Sequence, residues 1–252
     1  MPPKALAVAQ AESEGGLNQQ LQELNSTKDK LFSIIAHDLK SPFNGILGFS
    51  EVMYHNIQNN KHDKASEQIK IINSLAKSTL TLLDNLLAWA RIQNGTLEYD
   101  PLKLKLKEVI DETIDILRLN AKMKNISVTS YVSNESLIHA DQNMLQIILR
   151  NLISNAIKFT DKGGSIQLFV LESPEKVEIT VKDNGIGINK KAIAKLFKID
   201  TNTSKAGTEN EKGSGIGLTL CKELVEKHRG SISVESKEGK GTEFRFTLPV
   251  FR

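Results

Sequence analysis

Two long helical stretches joined by a short polar loop restrict the fold of this chain more than any other feature. From Leu17 to Ile35, a stripe with steps of four and three residues is apolar except at Lys28, which is typical of a helix that pairs with another helix. We predict that this helix continues to about Asn56 and that a polar turn follows at Asn56–Asp63. A second apolar stripe predicts a helix from Lys64 to Gln93.

Each of these helices has a single apolar side, and a hairpin of only two helices cannot bury both sides well. A four-helix bundle formed by two copies of the hairpin would bury them, so the pattern predicts a homodimer. The alternative is that the hairpin packs against the rest of its own chain.

The composition is that of an ordinary soluble protein. Of the 252 residues, 39% are apolar and 25% are charged, which suits one large or two modest domains. A net charge of +3 without a long basic run argues against nucleic acid as a partner. The single cysteine, Cys221, excludes an internal disulfide and a cysteine-rich metal site.

The chain shows no targeting or membrane-spanning pattern. No apolar run approaches the roughly 18 residues needed to cross a bilayer, and no secretory leader is present. We therefore expect a cytoplasmic chain, or the cytosolic part of a longer protein that could be anchored in a membrane. Residues 1–16 have no apolar period, so we expect them to be a disordered leader or a vector-derived remnant.

Short strands and helices follow Gly95 and predict an α/β sandwich with helices on one sheet face. The stretch from Leu97 to Lys105 is expected to be extended. The polar stretch from Asp200 to Ser214 has no period and is expected to be a mobile lid. The predicted helices are Leu106–Lys122, Asp141–Phe159, Lys190–Leu196 and Ile216–Lys227, and the predicted strands are Ile126–Val132, Ser165–Glu172, Lys176–Lys182, Ser231–Ser236 and Thr242–Leu248.

A histidine–aspartate pair, His37 and Asp38, lies in the first helix, away from its apolar stripe. A carboxylate next to an imidazole can hold one ring nitrogen and leave the other as a nucleophile. Pro42 should bend the helix just beyond the pair. Taken alone, the pair is equally consistent with a surface histidine beside a capping-type neighbour.

Three polar side chains of the helix predicted at Asp141–Phe159 are spaced by four and three residues: Asn151, Asn155 and Lys158. This spacing places two amides and an ammonium on one helix face. Amide oxygens can ligate a hard cation such as Mg²⁺, and an ammonium can meet a phosphate. The alternative is a solvated helix face.

Two glycine-rich stretches could approach a ligand closely. Asp183-Asn-Gly185-Ile-Gly187 directly follows an apolar strand, although an isolated Asp-Asn-Gly is most often only a turn. Gly213-Ser-Gly215-Ile-Gly217-Leu218 runs into a helix, where backbone amides and the helix dipole favour anions. Leu218 stands where a dinucleotide fingerprint requires glycine, so any nucleotide site is of another type.

Together and in this order, these clusters closely resemble the conserved boxes of bacterial sensor histidine kinases. The stretch His37-Asp-Leu-Lys-Ser-Pro42 resembles the phospho-acceptor box. The stretches Asn151 to Lys158, Asp183 to Gly187 and Gly213 to Gly217 resemble the N, G1 and G2 boxes. Glu238-Gly-Lys-Gly-Thr242-Glu-Phe-Arg-Phe-Thr-Leu-Pro249 resembles the closing motif. The resemblance extends over nearly the whole chain.

The resemblance implies an ATP-dependent protein-histidine kinase that uses ATP and Mg²⁺. Such an enzyme phosphorylates itself on His37 and passes the phosphoryl group to an aspartate of a response-regulator receiver domain. The implied organisation is a leader at 1–16, a dimerisation and histidine phosphotransfer hairpin at 17–94, a hinge at 95–100, and a Bergerat-type catalytic ATP-binding domain at 101–252.

The resemblance also implies a role for each matching position. His37 would accept the γ-phosphoryl group, and Asp38 would be its general base. Asn155 would be the Mg²⁺ ligand, and Asp183 would accept a hydrogen bond from the adenine amino group. The other positions implied to bind the nucleotide are Asn151 and Lys158 near the phosphates, Gly185, Gly187, Gly213, Gly215, Gly217 and Leu218 around adenine and phosphates, and Thr242 on the adenine side.

Three positions depart from the family pattern. Lys40 stands where the acceptor box usually has arginine, and Ser41 stands where threonine or asparagine often supports dephosphorylation of the partner. The stretch from Leu196 to Asp200 has one aromatic residue, where the family often has two around a proline.

Two other functions remain open at this level. The first is an ATPase like the topoisomerase, mismatch-repair and chaperone relatives of the same nucleotide-binding fold, which have no use for His37. The second is a scaffold without enzymatic activity, in which a dimeric hairpin only presents a surface to partners. Asn155, Asp183 and the lid glycines argue against the scaffold.

Overall fold

The computed structural model describes residues 36, 39–197, 206–209, 211 and 215–250. The chain divides into two compact units, Met1–Leu80 and Thr81–Arg252. The predictions for residues 1–35, for His37 and Asp38, and for Gly213 lie outside the described residues.

The first unit contains the predicted helix–turn–helix. Helix α1 covers residues 39–58, and helix α2, His62–Gln93, begins in this unit and ends in the second. Between them Asn60 takes a left-handed conformation with φ of 54°, which asparagine tolerates better than most residues. The Asn56 amide donates to Oε1 of Gln68 at 3.1 Å and links the two helices beside the turn. The predicted helical hairpin is therefore confirmed.

The second unit is built on a five-stranded sheet with the order β2-β4-β5-β7-β6. Strands β2 and β4 are parallel, and the other neighbours are antiparallel. A separate two-stranded sheet pairs β1 with β3. The strands are β1 Leu102–Lys105, β2 Ser127–Tyr131, β3 Leu137–Ala140, β4 Ser165–Glu172, β5 Lys176–Asp183, β6 Ile232–Lys237 and β7 Gly241–Pro249.

Three helices, α3 Leu106–Met123, α4 Gln142–Phe159 and α6 Gly217–Lys227, form the layer that covers the sheet. Alternate side chains of β4, β5 and β7 point into this layer, as expected for strands with one buried face. The fully buried apolar residues of α4 are Leu145, Ile148, Leu149, Leu152 and Ile153, and those of the strands include Ile166, Leu168, Val177, Ile179 and Phe246.

The outer face of the sheet carries charged side chains. Arg245 on β7 donates to Glu235 on β6 at 2.8 Å and to Glu243 at 2.7 Å. Cross-strand pairs of opposite charge suit a solvated face. The predicted α/β sandwich with helices on one sheet face is therefore confirmed.

Two local predictions differ from the structure. Strand β3 was not predicted, because its four residues are too few for a clear alternation and its partner β1 lies far away in sequence. Helix α5, Lys190–Ile193, ends at Ile193 instead of at the predicted Leu196. The backbone beyond it turns with bonds between residues three apart, such as Leu196 N to Ile193 O at 3.2 Å, which is tighter than an α-helix. Among the described residues, no helix is both long and apolar enough to span a membrane.

Candidate functional site

Helix α4 carries the two amides and the lysine that the sequence singled out. Asp141 begins the helix, and its Oδ1 accepts a hydrogen bond from Met144 N at 3.0 Å, which satisfies one of the free N–H groups of the first turn. The apolar side of α4 is buried in the core. Asn151, Asn155 and Lys158 are half-buried at the edge of that core, on one face of the helix, as their spacing predicts.

Asn151 lies against the start of helix α6. Its Nδ2 donates to the Ile147 carbonyl at 2.9 Å, and its Oδ1 accepts from Nδ2 of Asn85 at 3.3 Å. A Cβ atom placed on Gly217 would lie 2.5 Å from that same Oδ1. Because real contacts of this kind are longer, Gly217 must lack a side chain for α6 to begin this close to Asn151.

Asn155 lies one turn further along α4. Its side chain is half-buried, and none of the described residues forms a hydrogen bond with its amide. A half-buried amide without a protein partner offers its oxygen to a ligand or an ion.

Lys158 lies near the end of α4, where burial and neighbouring groups shift the pKa of its ammonium in opposite directions. Burial lowers the pKa of its ammonium, while the charge of the Glu211 carboxylate raises it. The ammonium also lies 4.7 Å from the centre of the Phe159 ring, an arrangement that favours the cation. Both neighbours therefore counteract the cost of burying a positive charge on this residue.

Asp183 is the last residue of β5 and is buried. Its Oδ1 accepts from Gly185 N at 2.9 Å and from Thr242 N at 3.1 Å. Burial raises the pKa of this carboxyl group above its ordinary value, although the two backbone hydrogen bonds oppose that shift. No described residue donates to Oδ2, so one oxygen of a fixed carboxyl group remains available to a ligand.

The loop after Asp183 is held by close backbone contacts. A Cβ atom on Gly185 would lie 2.1 Å from the Phe159 carbonyl oxygen, and one on Gly187 would lie 2.1 Å from the Lys237 carbonyl oxygen. Gly187 also has φ of 68°, a conformation that glycine adopts without strain. These glycines let the loop lie directly on the end of α4 and on the turn after β6.

Thr242 on β7 pairs with Asp183 in the sheet register and is buried. Its hydroxyl lies 2.9 Å from Oγ of Ser236, and that Oγ also accepts from Ile188 N at 2.8 Å. Ser236 thereby joins the threonine to the glycine loop. Sequence reasoning missed Ser236, because a serine in an edge strand carries no signal of its own.

The start of α6 supplies the remaining glycines that the sequence predicted. Gly215 has φ of 68°, Gly217 is the first residue of α6, and Leu218 is half-buried. Gly213 lies outside the described residues. The structure thus brings the start of α6 to Asn151 and brings the end of β5 to Thr242 and to the end of α4.

Sequence reasoning also missed Lys124. It is a buried lysine just after α3, and its ammonium reaches the end of α4. Its burial depends on segments that are more than 30 residues away along the chain.

Ser41 is half-buried in α1, within the first unit.

These groups fit a nucleotide with its phosphates and a magnesium ion. Asp183 offers an acceptor, Asn155 an amide oxygen, and Lys158 a cation. No three His, Cys, Asp or Glu side chains are grouped as metal ligands in the part of the chain that the structure describes. Mg²⁺ commonly takes only one or two protein ligands and completes its shell with phosphates and water.

Two known protein families match this chain, one in its N-terminal region and one in its C-terminal region. Residues 27–95 match the family described as the His Kinase A (phospho-acceptor) domain. Residues 140–252 match the family described as histidine kinase-, DNA gyrase B- and HSP90-like ATPase.

Two relatives illustrate the similarity. An uncharacterized sensor-like histidine kinase of Rhizobium meliloti (strain 1021) is 32% identical over 233 aligned positions, and the alignment covers 90% of this chain and 44% of the relative. The adaptive-response sensory kinase SasA of Synechococcus sp. (strain JA-2-3B'a(2-13)) is 31% identical over 266 aligned positions, and the alignment covers 100% of this chain and 68% of the relative.

The fold is also similar to that of a solved structure, the histidine kinase ThkA in complex with the response regulator protein TrrA. The TM-score is 0.64 at 24% identity, over 94% of this chain and 66% of that chain. With both family regions in one chain and a relative matched along all of it, this chain belongs to the sensor histidine kinase family.

Proposed function

We propose that this chain is the catalytic core of an ATP-dependent protein-histidine kinase. It phosphorylates itself on His37 and passes the phosphoryl group to an aspartate on a response-regulator receiver domain. The proposal is supported by the presence, in one chain, of a region named for a phospho-acceptor and a region named for an ATPase.

The observation that carries the proposal is the setting of Asp183. One oxygen of its carboxyl group is held by two backbone amides, and no described residue donates to the other. A buried acceptor with a fixed direction suits the exocyclic amino group of adenine, because a ligand without that donor would leave the oxygen unpaired. Gly185, Gly187 and Thr242, which hold Asp183 and its loop, then lie on the adenine side.

The polar face of α4 suits the phosphates. We assign the open amide oxygen of Asn155 to Mg²⁺, and Asn151 and Lys158 to the phosphate oxygens. The glycines Gly213, Gly215 and Gly217, with Leu218, belong to the same phosphate side, at the start of α6. Bound Mg²⁺ would neutralise charge on the phosphates, and the chain's own part would be to hold them in position.

The first chemical step joins the γ-phosphorus to a ring nitrogen of His37. A phosphorus–nitrogen bond forms, the bond between the γ-phosphorus and the β–γ bridging oxygen breaks, and ADP leaves with that electron pair. Asp38 is assigned as the general base that takes the imidazole proton. In the second step, a carboxylate oxygen of the receiver aspartate attacks the phosphorus and forms a phosphorus–oxygen bond. The phosphorus–nitrogen bond breaks, its electron pair stays on the ring nitrogen of His37, and the imidazole regains the proton that it gave up in the first step.

A response regulator is the proposed partner of the helical hairpin. ThkA, whose fold this chain shares, forms a complex with the response regulator protein TrrA. Ser41, four residues after His37, stands where threonine or asparagine often supports dephosphorylation of the receiver, so a phosphatase activity is not part of the proposal.

A second copy of the chain is the other proposed partner. Several large apolar side chains of the hairpin are exposed, including Phe43 at 53% and Leu47 at 62% on α1 and Leu80 at 60% on α2. Exposed apolar stripes on paired helices are typical of a bundle that is completed by another subunit. The homodimer is therefore part of the proposal.

The proposed domains are residues 17–94 and 101–252, joined by a hinge at 95–100. The end of this hinge is held: Asp100 N donates to Asp141 Oδ2 at 3.1 Å, and the Tyr99 ring lies 5.1 Å from the His228 ring. The start of the hinge is held as well, because Thr96 N and Leu97 N donate to the Arg91 carbonyl at 2.9 and 3.1 Å. We therefore place the freedom of the hinge at Glu98, between these two anchors. Limited proteolysis that cuts elsewhere in 95–100 before it cuts beside Glu98 would contradict this placement.

Calorimetric titration with ATP tests the nucleotide site directly. We expect Mg²⁺ to raise the affinity of the parent chain for ATP and to have no such effect on Asn155→Ala. Ser154→Ala, an exposed neighbour on the same helix, is the matched control and should behave as the parent does. A parent chain that binds no ATP would overturn the proposal and favour the non-enzymatic scaffold.

A further inference from the structure

Lys124 is buried although it carries a charge, and no part of the proposed reaction uses it. It follows α3, and its side chain is only 4% exposed. Its ammonium lies 2.9 Å from the Ile157 carbonyl oxygen and 3.1 Å from the Lys158 carbonyl oxygen. It also lies 2.6 Å from the Thr208 hydroxyl and 3.0 Å from Oε1 of Glu211. A buried ammonium with four oxygen neighbours is costly to build and is expected only where it organises its surroundings.

Two of these oxygens belong to a segment that lies against the end of α4. We call residues 206–209 and 211 the docked segment. Within it, Thr208 N donates to the Lys158 carbonyl at 3.0 Å and Thr208 Oγ1 donates to the Thr160 carbonyl at 3.0 Å. Gly207 N donates to the Glu211 carbonyl at 2.9 Å. Part of the stretch that the sequence predicts as a lid is thus fixed to α4.

The docked segment contacts the side chain of Lys158 itself. A Cβ atom on Gly207 would lie 2.6 Å from Cγ of Lys158 and 2.7 Å from its carbonyl oxygen. The backbone of Gly207 therefore packs on the stem of Lys158. A shift of the docked segment would change the space available to the Lys158 ammonium.

The ammonium of Lys124 interacts electrostatically with both the end of α4 and the Glu211 carboxylate. The last carbonyls of α4 lack helical partners, and a cation there also complements the helix dipole. Burial raises the pKa of the Glu211 carboxyl group, but hydrogen bonds from Lys124 and from Glu209 N outweigh burial and leave that pKa below its ordinary value. Removing Glu211 would leave the Lys124 ammonium buried without a charged partner, whereas Glu211 itself is half-exposed.

We propose that Lys124 is a positioning residue for phosphate binding, because it fixes the docked segment against the end of α4 and so sets the position of Lys158. The inference rests on the proposed function, since Lys158 meets phosphates only if ATP is the ligand. Lys124 itself does not touch the nucleotide. It belongs to none of the sequence motifs, and it acts through Thr208, Glu211 and the two α4 carbonyls.

Amide hydrogen exchange of Gly207 and Thr208, read by NMR on the chain without nucleotide, tests the anchoring. We expect exchange to be at least about tenfold faster in Lys124→Met and Glu211→Gln than in the parent, because the docked segment loses its ion pair with the buried ammonium. The matched control is Lys162→Met, which removes an exposed ion pair between Lys162 and Glu209 of the same segment, and it should change exchange by less than about twofold. Unchanged protection in a folded Lys124→Met would overturn the proposal.

Binding of ATP and of adenosine to the same variants tests the effect on the phosphates. In Lys124→Met we expect the Kd for ATP to rise about tenfold and the Kd for adenosine to stay within about twofold, since Asp183 is untouched. An equal rise for both ligands would show a general loss of structure and would overturn the positioning role. If Lys124→Met does not fold, Thr208→Val removes one oxygen neighbour of the ammonium and Glu211→Gln removes the negative charge opposite it, and each gives the same test.

Failure of this inference is distinguishable from failure of the proposed function. A parent chain that binds neither ligand contradicts the function and, with it, phosphate positioning, while the exchange rates still decide whether Lys124 anchors the segment. A parent chain that binds ATP, with Lys124→Met binding it equally well, contradicts the role of Lys124 alone.

Discussion

Hydrogen bonds from the backbone can fix the direction in which a single side chain of this protein meets a ligand. Asp183 is an example, because Gly185 N and Thr242 N occupy one of its carboxyl oxygens and thereby aim the other. The resemblance of Asp183-Asn-Gly185-Ile-Gly187 to the G1 box of sensor histidine kinases predicted Asp183 as a ligand residue. It could not predict Ser236 or Lys124, because their importance comes from contacts with residues far away in sequence.

Asp183→Asn should change the choice of nucleotide. The new amide can keep its oxygen on the two backbone N–H groups, so its NH₂ group would face the adenine amino group as a second donor. We expect the affinity for ATP to fall at least about tenfold, or ~1.4 kcal/mol, while inosine triphosphate, which presents an acceptor at that position, loses nothing. Calorimetry with both nucleotides measures this.

The control for this substitution is Asp161→Asn, which changes an exposed carboxylate just after α4. It should bind both nucleotides as the parent chain does. Equal losses for the two nucleotides in Asp183→Asn, or an unchanged affinity for ATP, would contradict the proposed contact with adenine.

At the scale of elements, α4 and α6 are joined by a buried histidine at one end and by a glycine contact at the other. His228, the residue after α6, accepts from Asp141 N through Nε2 at 3.1 Å, and its Nδ1 lies 2.7 Å from the Leu224 carbonyl oxygen. With a carbonyl beside Nδ1, that nitrogen carries the proton and Nε2 is the acceptor. At the other end, Gly217 lies against Asn151. The neutral ring is therefore part of the alignment of the two helices.

This contact makes stability depend on pH. Burial lowers the pKa of His228, against the opposing effects of the Leu224 carbonyl and of Asp141. A depressed folded-state pKa gives a contribution that is fully present above the ordinary pKa near 6.5 and is lost as the pH falls through the folded-state value. We expect the free energy of unfolding, measured with denaturant, to decrease below about pH 6.5 by at most ~1.4 kcal/mol per pH unit.

The comparison that isolates His228 is His228→Gln, whose amide oxygen can still accept from Asp141 N. Its stability should vary less with pH than that of the parent chain, whereas His55→Gln, at an exposed position of α1, should retain the parent's pH dependence. The same pH dependence in His228→Gln as in the parent would contradict this account.

Most elements could be predicted because their signals are local. The period of α4, its cap at Asp141 and the alternation of β4 and β5 are all contained in windows of fewer than about 20 residues. Strand β3 and the early end of α5 could not be predicted in this way. Strand β3 exists because its partner β1 pairs with it, and the end of α5 depends on a change from α-helical bonds to tighter turns.

At the scale of the whole molecule, the proposed second copy leads to a test of oligomeric state. Leu47→Glu places a charge in the exposed apolar stripe of α1, and burying that charge between subunits would be costly. We expect the parent chain to have the mass of a dimer by light scattering and Leu47→Glu to shift toward the monomer. Lys70→Glu, an exposed change of charge on α2, should leave the mass unchanged. A monomeric parent at micromolar concentration would contradict the homodimer.

The assignment of function needs both halves of the chain, and neither half is sufficient alone. The ATPase region would suit any member of that broad family, and a helical hairpin could be only a scaffold. The order of the boxes in the sequence predicted the combination, and the two family regions support it. The sequence could not supply the partners of each polar group at the site, because those are set by the packing of α4, α6 and the sheet.

Phosphorylation of His37 is measured by incubation with Mg²⁺ and γ-labelled ATP, with the parent chain, His37→Ala and Asn155→Ala compared side by side. We expect the parent to acquire a label that is lost in acid and kept in base, as a phosphorus–nitrogen bond requires, and both variants to acquire none. A label that persists in His37→Ala would place the acceptor elsewhere. Release of phosphate that requires Asn155, without any label on the chain, would contradict the kinase and favour an ATPase.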